Sequence, residues 1–161
     1  MHMLAWLLLI LVAMTLLAVA AGQLGWLQGT PPADLGVHDG RLKPPSATEN
    51  SVTSQAALYP DHPQRIYAGI APLVVQDSGP ATLLRIKTVV TGMTGANVVR
   101  SDADYLYVQF TTPVLRFVDD AEFWFDPALN VIQVRSASRV GRKDFGVNRR
   151  RMETVRRYLN P

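Results

Sequence analysis

The sequence predicts an α+β fold: a four-stranded antiparallel meander covered by two helices and preceded by one N-terminal transmembrane helix. Three observations lead to this prediction. Apolar residues recur with a helical period after residue 78 and again after residue 148, and the period is two between residues 96 and 138. Residues 3–22 contain no charged side chain. A helix, four strands with short links and a second helix favour a two-layer sandwich.

Length and composition set the outer limits of the organisation. The chain has 161 residues, and roughly 95–100 of them remain for one core after the apolar and Pro/Ser-rich parts are set aside. We divide it into a transmembrane anchor or signal-like segment (1–24), a Pro/Gly/Ser-rich linker or irregular wrap (25–60) and an α+β globular domain (61–161). The absence of cysteine excludes disulfides and thiolate metal sites.

The apolar segment Met3–Gly22 is long enough to cross a membrane, because twenty helical residues span about 30 Å. A signal peptide cleaved after Ala20 is the alternative, but the basic start is missing and the apolar run is long. Trp26 suits a membrane interface. The first basic residue after the segment is Arg41. The flanking charges therefore give almost no signal for the side of the membrane on which the domain lies. We expect a single-pass membrane protein with an extracytoplasmic domain, on the signal-like character of the run alone.

Residues 29–59 are rich in proline, glycine and small polar residues and show no apolar period. This composition indicates either a linker or an irregular wrap against the domain. Leu35, Val37 and Leu42 are widely spaced apolar positions that suit the wrap.

The first helix of the domain has clear start and stop signals. Ser78 is a capping residue, and Pro80 falls in the first turn, where its missing N–H costs nothing. Apolar residues follow at i, i+3 and i+7 from Leu83, and Gly92 ends the helix. The last helix begins near Asn148, which we expect to cap it, and carries a buried apolar stripe.

Between these helices the sequence predicts strands at 96–101, 105–112, 117–125 and 131–138. Residues 126–130 supply strong turn chemistry between the last two. If Asp126 faces Val131 across this turn, apolar residues pair on one face and polar residues on the other. The main polar pair is Glu122 opposite Arg135, with Asp120 on the same face and Asp119 on the opposite one.

We interpret this polar constellation as a candidate ligand-binding patch. In that hypothesis three arginines hold an anion, the acids orient them, and Trp124 with Tyr107 forms an apolar wall. The ordinary alternative is a cross-strand ion pair on the solvent face, which contributes about 0.2–1 kcal/mol. The candidate residues are Asp119, Asp120, Glu122, Arg135, Ser136, Arg139, Asp144, Asn148, Arg149, Trp124 and Tyr107.

Other chemistries have weaker support in the sequence. The acids lack calcium-loop spacing, and His2, His38 and His62 lie outside the strand-helix core, so we expect no metal. Ser136 and Ser138 have no core histidine to serve as a base. The glycine-rich nucleotide motifs are absent, and we expect no cofactor.

Basic residues are concentrated at the C-terminus, where seven of the sixteen lie between Arg142 and Arg157. Arginines at 149–151 oppose the helix dipole, which favours a bound anion or an acidic neighbour over bare solvent. The alternatives are a solvated helix face, a lipid or other phosphate, and nucleic acid. Anionic lipid is the more natural ligand for a tethered chain, and we do not expect nucleic acid.

Three segments carry a family resemblance: LGVHDGRLKPPSATENSVTSQA (35–56), FVDDAEFWFD (117–126) and VRSASRVGRKDFGVNRRRMETVR (134–156). Over about 35–160 the chain resembles the domain-of-unknown-function family number 1499, found in bacteria and plants. The family has no established activity, so the resemblance does not identify a function. Many bacterial members carry one N-terminal apolar segment. Members often have a cysteine pair where this chain has Pro45 and Ser51, so a staple or redox role of that pair is lost here.

We therefore expect a membrane-anchored, non-enzymatic envelope module that binds an anionic lipid, a polar ligand or a protein partner. One alternative is an enzyme that uses the acids as general acid and base with arginine anion stabilisation; it predicts a pocket that gathers the acids. The other alternative is a purely structural polar network.

Overall fold

The computed structural model describes residues 2–159; residues 1 and 160–161, the outer limits of the first and last predicted segments, lie outside the described residues. Four α-helices, six strands and one 3₁₀ turn alternate along these residues. In chain order they are α1 (His2–Gln23), β1 (Ser51–Thr53), the 3₁₀ turn (Ala56–Leu58), α2 (Arg65–Ala68), β2 (Leu73–Val74), α3 (Gly79–Thr91), β3 (Ala96–Ser101), β4 (Tyr105–Thr111), β5 (Val118–Asp126), β6 (Val131–Ser138) and α4 (Val147–Leu159).

The antiparallel sheet has six strands rather than the predicted four. Strands β3 to β6 form the predicted meander, and β1 and β2 are added along the outer edge of β6. These two strands have three and two residues, too few to show an alternating period. Their positions cover an edge of β6 that would otherwise present unpaired backbone groups.

The predicted β5–β6 register is confirmed. Phe123 lies opposite Val134, and Glu122 lies opposite Arg135. Because side chains alternate between the two faces of a strand, a shift of one residue would exchange the apolar and polar faces.

Helices α3 and α4 cover the apolar face of the sheet and form the main core. Ile86 and Val90 of α3 and Met152 and Val155 of α4 are fully buried against it. The predicted Ser78 cap is present, since its hydroxyl accepts the N–H of Ala81 at 3.3 Å.

The opposite face of the sheet is also covered, by an irregular segment that we call the strap (residues 34–46). Leu42 of the strap is 1% exposed and packs on Tyr105 and Trp124. Its N–H donates to Gln55 Oε1 at 2.8 Å, and its carbonyl accepts the Tyr59 hydroxyl at 3.2 Å. The polar face of the sheet therefore lies under the strap and not in solvent. The strap has no sequence period that would indicate where it packs.

Helix α1 is long and apolar enough to cross a membrane, a property that a retained anchor shares with a signal sequence. Its last residues contact the β4–β5 loop: Gln23 Nε2 donates to the carbonyls of Pro113 and Val114 at 3.2 and 2.9 Å. Gly22 is buried against Leu115. We call this end of the sheet, residues 112–117 and 139–147, the proximal end, and the hairpin turns at 102–104 and 127–130 the distal end.

Helix α3 begins so close to the sheet that Gly79 has no room for a side chain. A Cβ atom there would lie 2.1 Å from the Phe125 ring. We expect Gly79→Ala to lower the free energy of unfolding by about 1–3 kcal/mol through overpacking. The control is Gly92→Ala at the other end of α3, where φ is −78° and the nearest atom would be 3.5 Å away. Urea unfolding compares them, and equal stabilities would contradict this packing.

Candidate functional site

The predicted site residues divide between the two faces of the sheet. Asp119 and Asp120 are neighbours in β5, so their side chains point to opposite faces. We call the group under α4 the helix-side network: Asp119, Ser136, Ser138, Asp144, Asn148 and Arg151. The group under the strap is the strap-side network: Tyr105, Tyr107, Asp120, Glu122, Arg135 and Arg139.

Asp120 and Arg139 form a two-pronged ion pair in the strap-side network. Arg139 Nε donates to Asp120 Oδ2 at 2.8 Å and its Nη2 donates to Oδ1 at 2.7 Å. The Tyr107 hydroxyl donates to Oδ1 as well. The hydrogen bonds from Arg139 to Asp120 raise the pKa of the guanidinium, although desolvation opposes this. Both oxygens of this buried carboxylate are therefore engaged within the chain.

Glu122 and Arg135 are joined to the strap rather than to a cavity. Glu122 Oε1 accepts the Tyr105 hydroxyl and the Gly36 N–H, each at 2.8 Å. Arg135 Nε donates to the carbonyl of Pro44 at 3.3 Å. Burial acts to lower the pKa of Arg135, and Glu122 opposes this effect.

The direct contact between these two side chains is looser than the contacts around it. Arg135 Nη1 and Glu122 Oε2 lie 3.5 Å apart, and among residues 2–159 neither atom has a hydrogen-bond partner. Glu122 is 0% exposed and Arg135 is 3% exposed. The pair is thus a buried charge pair held from both sides by strap backbone groups.

Arg151 is the centre of the helix-side network. It is not among the predicted site residues, although a bound anion or an acidic neighbour is expected for the arginines at 149–151. Its Nη2 donates to Asp119 Oδ2 at 2.6 Å, and its Nη1 donates to Ser136 Oγ at 3.0 Å and Asn148 Oδ1 at 2.6 Å. The guanidinium carbon lies 4.3 Å from the centre of the Phe110 ring, within cation–π range. The available signal was its position three residues after Asn148, on the flank of the buried stripe.

Asn148 connects α4 to the edge of the sheet. Its Nδ2 donates to the Asn50 carbonyl and to Ser138 Oγ, both at 3.1 Å. The Ser136 hydroxyl donates to its Oδ1. The predicted site residues Asn148, Asp119 and Ser136 are therefore brought together, but each of them contacts the protein itself.

Asp144, rather than the expected Asn148, supplies hydrogen bonds at the start of α4. Its carboxylate accepts the N–H of Gly146 at 3.0 Å and of Asn148 at 2.9 Å, and the Tyr67 hydroxyl at 2.8 Å. Desolvation acts to raise the pKa of Asp144, but these hydrogen bonds outweigh it and hold the pKa below its ordinary value. A carboxylate is favoured here because it complements the positive end of the helix dipole.

The three arginines of the proposed anion site do not converge. Arg135 and Arg139 lie on the strap side, whereas Arg149 donates to the carbonyls of Gly69 and Tyr67 near α2. Within residues 2–159 there is no group of three or more His, Asp or Glu side chains placed to hold a metal ion. Trp124, the remaining predicted residue, packs against the strap.

A cavity of about 310 Å³ lies at the proximal end, beside the helix-side network. Its apolar lining residues include Phe117, Val140, Phe145 and Val147. Asp119, Ser138 and Asp144 also line it, together with Thr112, Gly141 and Lys143.

The comparison with protein families gives a single result. The model of the family described as "Protein of unknown function (DUF1499)" matches residues 41–159, and the chain belongs to that family. The searches of curated proteins and of solved structures found no match.

The buried pair Asp119–Arg151 is expected to matter far more to stability than a surface pair. Arg151→Met leaves Asp119 buried without its cation, and we expect a loss of about 3–5 kcal/mol. Arg85→Met breaks the exposed pair with Asp77, which is 2.5 Å long, and we expect a loss of at most about 1 kcal/mol. Chemical denaturation measures both.

The double variant Asp119→Asn/Arg151→Met serves as the check on this interpretation. It removes the buried Asp119 charge that lacks a partner in Arg151→Met, so it should be more stable than Arg151→Met alone. Equal costs for Arg151→Met and Arg85→Met would contradict a buried, interdependent pair.

Asp144 is expected to give the protein an acid-sensitive stability. Its folded-state pKa is lowered, so its contribution is present above the unfolded pKa of about 3.9 and disappears as pH falls through the folded pKa. Asp144→Asn should therefore be less stable than the wild type at neutral pH, and the difference should shrink below about pH 4. Denaturation curves at several pH values measure this, and a difference that does not change with pH would contradict it.

Proposed function

We propose that this member of the DUF1499 family is a membrane-anchored, non-enzymatic envelope module that binds anionic lipid through the proximal end of its domain. In this proposal α1 is retained as the anchor and the domain is extracytoplasmic. The observation that carries the proposal is that α1 meets the domain at its proximal end, where exposed basic and apolar side chains such as Arg142 and Phe145 occur together.

Charge is distributed in the direction that this proposal requires. Arg142 is exposed at the proximal end, and Arg116 is partly exposed there. Arg150 is exposed in the first turn of α4, where its Nη1 donates to the carbonyl of Phe145 in the proximal end. The nearby exposed acid Glu49 is paired with Lys143 at 2.9 Å. By contrast, the distal turn at 102–104 carries the exposed acids Asp102 and Asp104, of which Asp102 is paired with Arg100 at 2.6 Å. Basic residues close to a membrane surface each contribute about 1 kcal/mol of attraction to anionic lipid.

Exposed apolar residues at the same end support contact with the membrane interface. Phe145 is 85% exposed, and Val114 and Trp26 are exposed as well. Phe145 has a positive φ of 51° and lies in the tight turn before α4, between basic residues 142–143 and 149–151. Aromatic and aliphatic side chains flanked by arginine and lysine are typical of interfacial membrane contacts.

The state of the buried acids favours binding over catalysis. General acid–base chemistry needs carboxyl groups that can reach a substrate. Asp119, Asp120 and Glu122 lie on two different faces, and each has an arginine partner inside the protein. We therefore assign these residues a structural role and place the ligand contact at the proximal end. A polar ligand on the strap side would have to displace the strap.

The test uses the full-length protein in nanodiscs of neutral lipid and of neutral lipid mixed with anionic lipid. Hydrogen exchange of residues 113–116 and 140–146 is expected to slow in the anionic nanodiscs, because the proximal end rests on the lipid surface. The paired charge reversal Arg142→Glu/Arg150→Glu should abolish this difference.

The matched control is Arg157→Glu, an exposed arginine ten residues further along α4 than Val147 and about 15 Å away from it along the helix axis. It should keep the lipid-dependent protection. Exchange rates that are the same in both lipids for the wild type, or an equal loss in Arg157→Glu, would overturn the proposal.

A further inference from the structure

The proximal cavity is the feature that the proposed lipid surface does not yet explain. It lies between the β4–β5 loop and the segment that joins β6 to α4, and its volume is about 310 Å³. Ligand pockets have volumes of about 300–1,000 Å³. The cavity is therefore large enough for one short chain segment and too small for a whole lipid.

The cavity is mainly apolar although carboxylates border it. Asp119 is neutralised by Arg151, and Asp144 accepts hydrogen bonds from two backbone N–H groups at the start of α4. Ser138 Oγ is engaged by the Asn148 amide at 3.1 Å. The helix-side network supplies the ion-pair and hydrogen-bond partners of these three side chains. Carbon atoms make up most of the lining that remains exposed in the cavity.

The residues around the cavity belong to the surface that adjoins α1. Phe117 and Thr112 come from the loop that contacts the end of α1. Gly29, six residues after α1, lies directly against Val140: a Cβ at Gly29 would come within 2.7 Å of the Val140 side chain. The cavity is thus flanked by the segment that leaves the membrane.

We propose that this cavity takes up part of one acyl chain of an anionic lipid from the bilayer that α1 enters. The apolar wall of Phe117, Val140 and Val147 packs on the chain, and Arg142 lies near the phosphate of the same lipid. This inference rests on the proposed lipid-binding function and adds to it a defined site for a single lipid. Charge complementarity and the continuity with α1 select a membrane lipid as the occupant.

The experiment uses full-length protein in nanodiscs that contain phosphatidylglycerol with a photoreactive diazirine near the end of one acyl chain. After illumination, mass spectrometry maps the labelled residues. We expect labels on residues that line the cavity, Phe117, Val140 and Val147 first. A second lipid with the diazirine near the headgroup should move the labels to residues 142–143.

A cavity-filling variant supplies the matched comparison. Val147→Phe reduces the free volume, and we expect labelling of Phe117 and Val140 by the chain-end probe to fall several-fold. Val99→Phe makes the same change at a valine of similar exposure on β3, outside the cavity, and should leave labelling unchanged. Thermal unfolding of both variants establishes that they are folded, and the two-probe comparison on the wild type does not depend on either variant.

Two results would overturn the inference. One is chain-end labelling confined to α1 in the wild type, and the other is equal labelling of the cavity residues in Val147→Phe and Val99→Phe. If the proximal loops still show slower exchange in anionic lipid, the cavity site alone is wrong. If the lipid-dependent protection is absent as well, the proposed function fails with it.

Discussion

The register between β5 and β6 is the constraint on which the rest of this structure depends. It places Asp119 on one face of the sheet and Asp120 with Glu122 on the other. Charged groups cannot be covered without partners, because transfer of an unpaired charge out of water costs several kcal/mol. Each face must therefore be covered by an element that brings the complementary groups. Helix α4 supplies Arg151 on one side, and the strap supplies backbone groups on the other.

These buried networks determine how the covering elements dock. The strap has few apolar residues, and its position is fixed by its hydrogen bonds to Glu122 and Arg135 together with the packing of Leu42. In the same way α4 is fixed along its axis by Arg151 and Asn148, while Met152 and Val155 supply the apolar contact. A sheet with apolar residues on both faces would accept a helix or strap in many positions. Directional ion pairs and hydrogen bonds allow the helix or strap to dock in only a few positions.

The same networks use the buried polar side chains of the domain for contacts within the protein, whereas the proposed lipid contact uses exposed side chains. The buried acids of β5 are engaged with arginines of β6, of the segment after it and of α4. Exposed groups at the proximal end include Phe145 and Arg142, and the end of α1 contacts the β4–β5 loop of the same end. The helix-side network also explains why the proximal cavity is apolar, since it draws the polar atoms of Asp119 and Asp144 toward α4.

The sequence by itself determined the features that depend on local periodicity. The capped helix α3, the four meander strands and the pairing of Glu122 with Arg135 all follow from spacing, capping residues and turn chemistry within short stretches. Only the tertiary structure decided what covers the polar face, which element neutralises Asp119, and that the arginines of the proposed anion site point to different partners. Gly36 and Glu122 are 86 residues apart in the chain, and β1 and β2 have three and two residues. Contacts between irregular or very short segments leave no period in the sequence, because such segments are too short or too irregular to repeat a spacing.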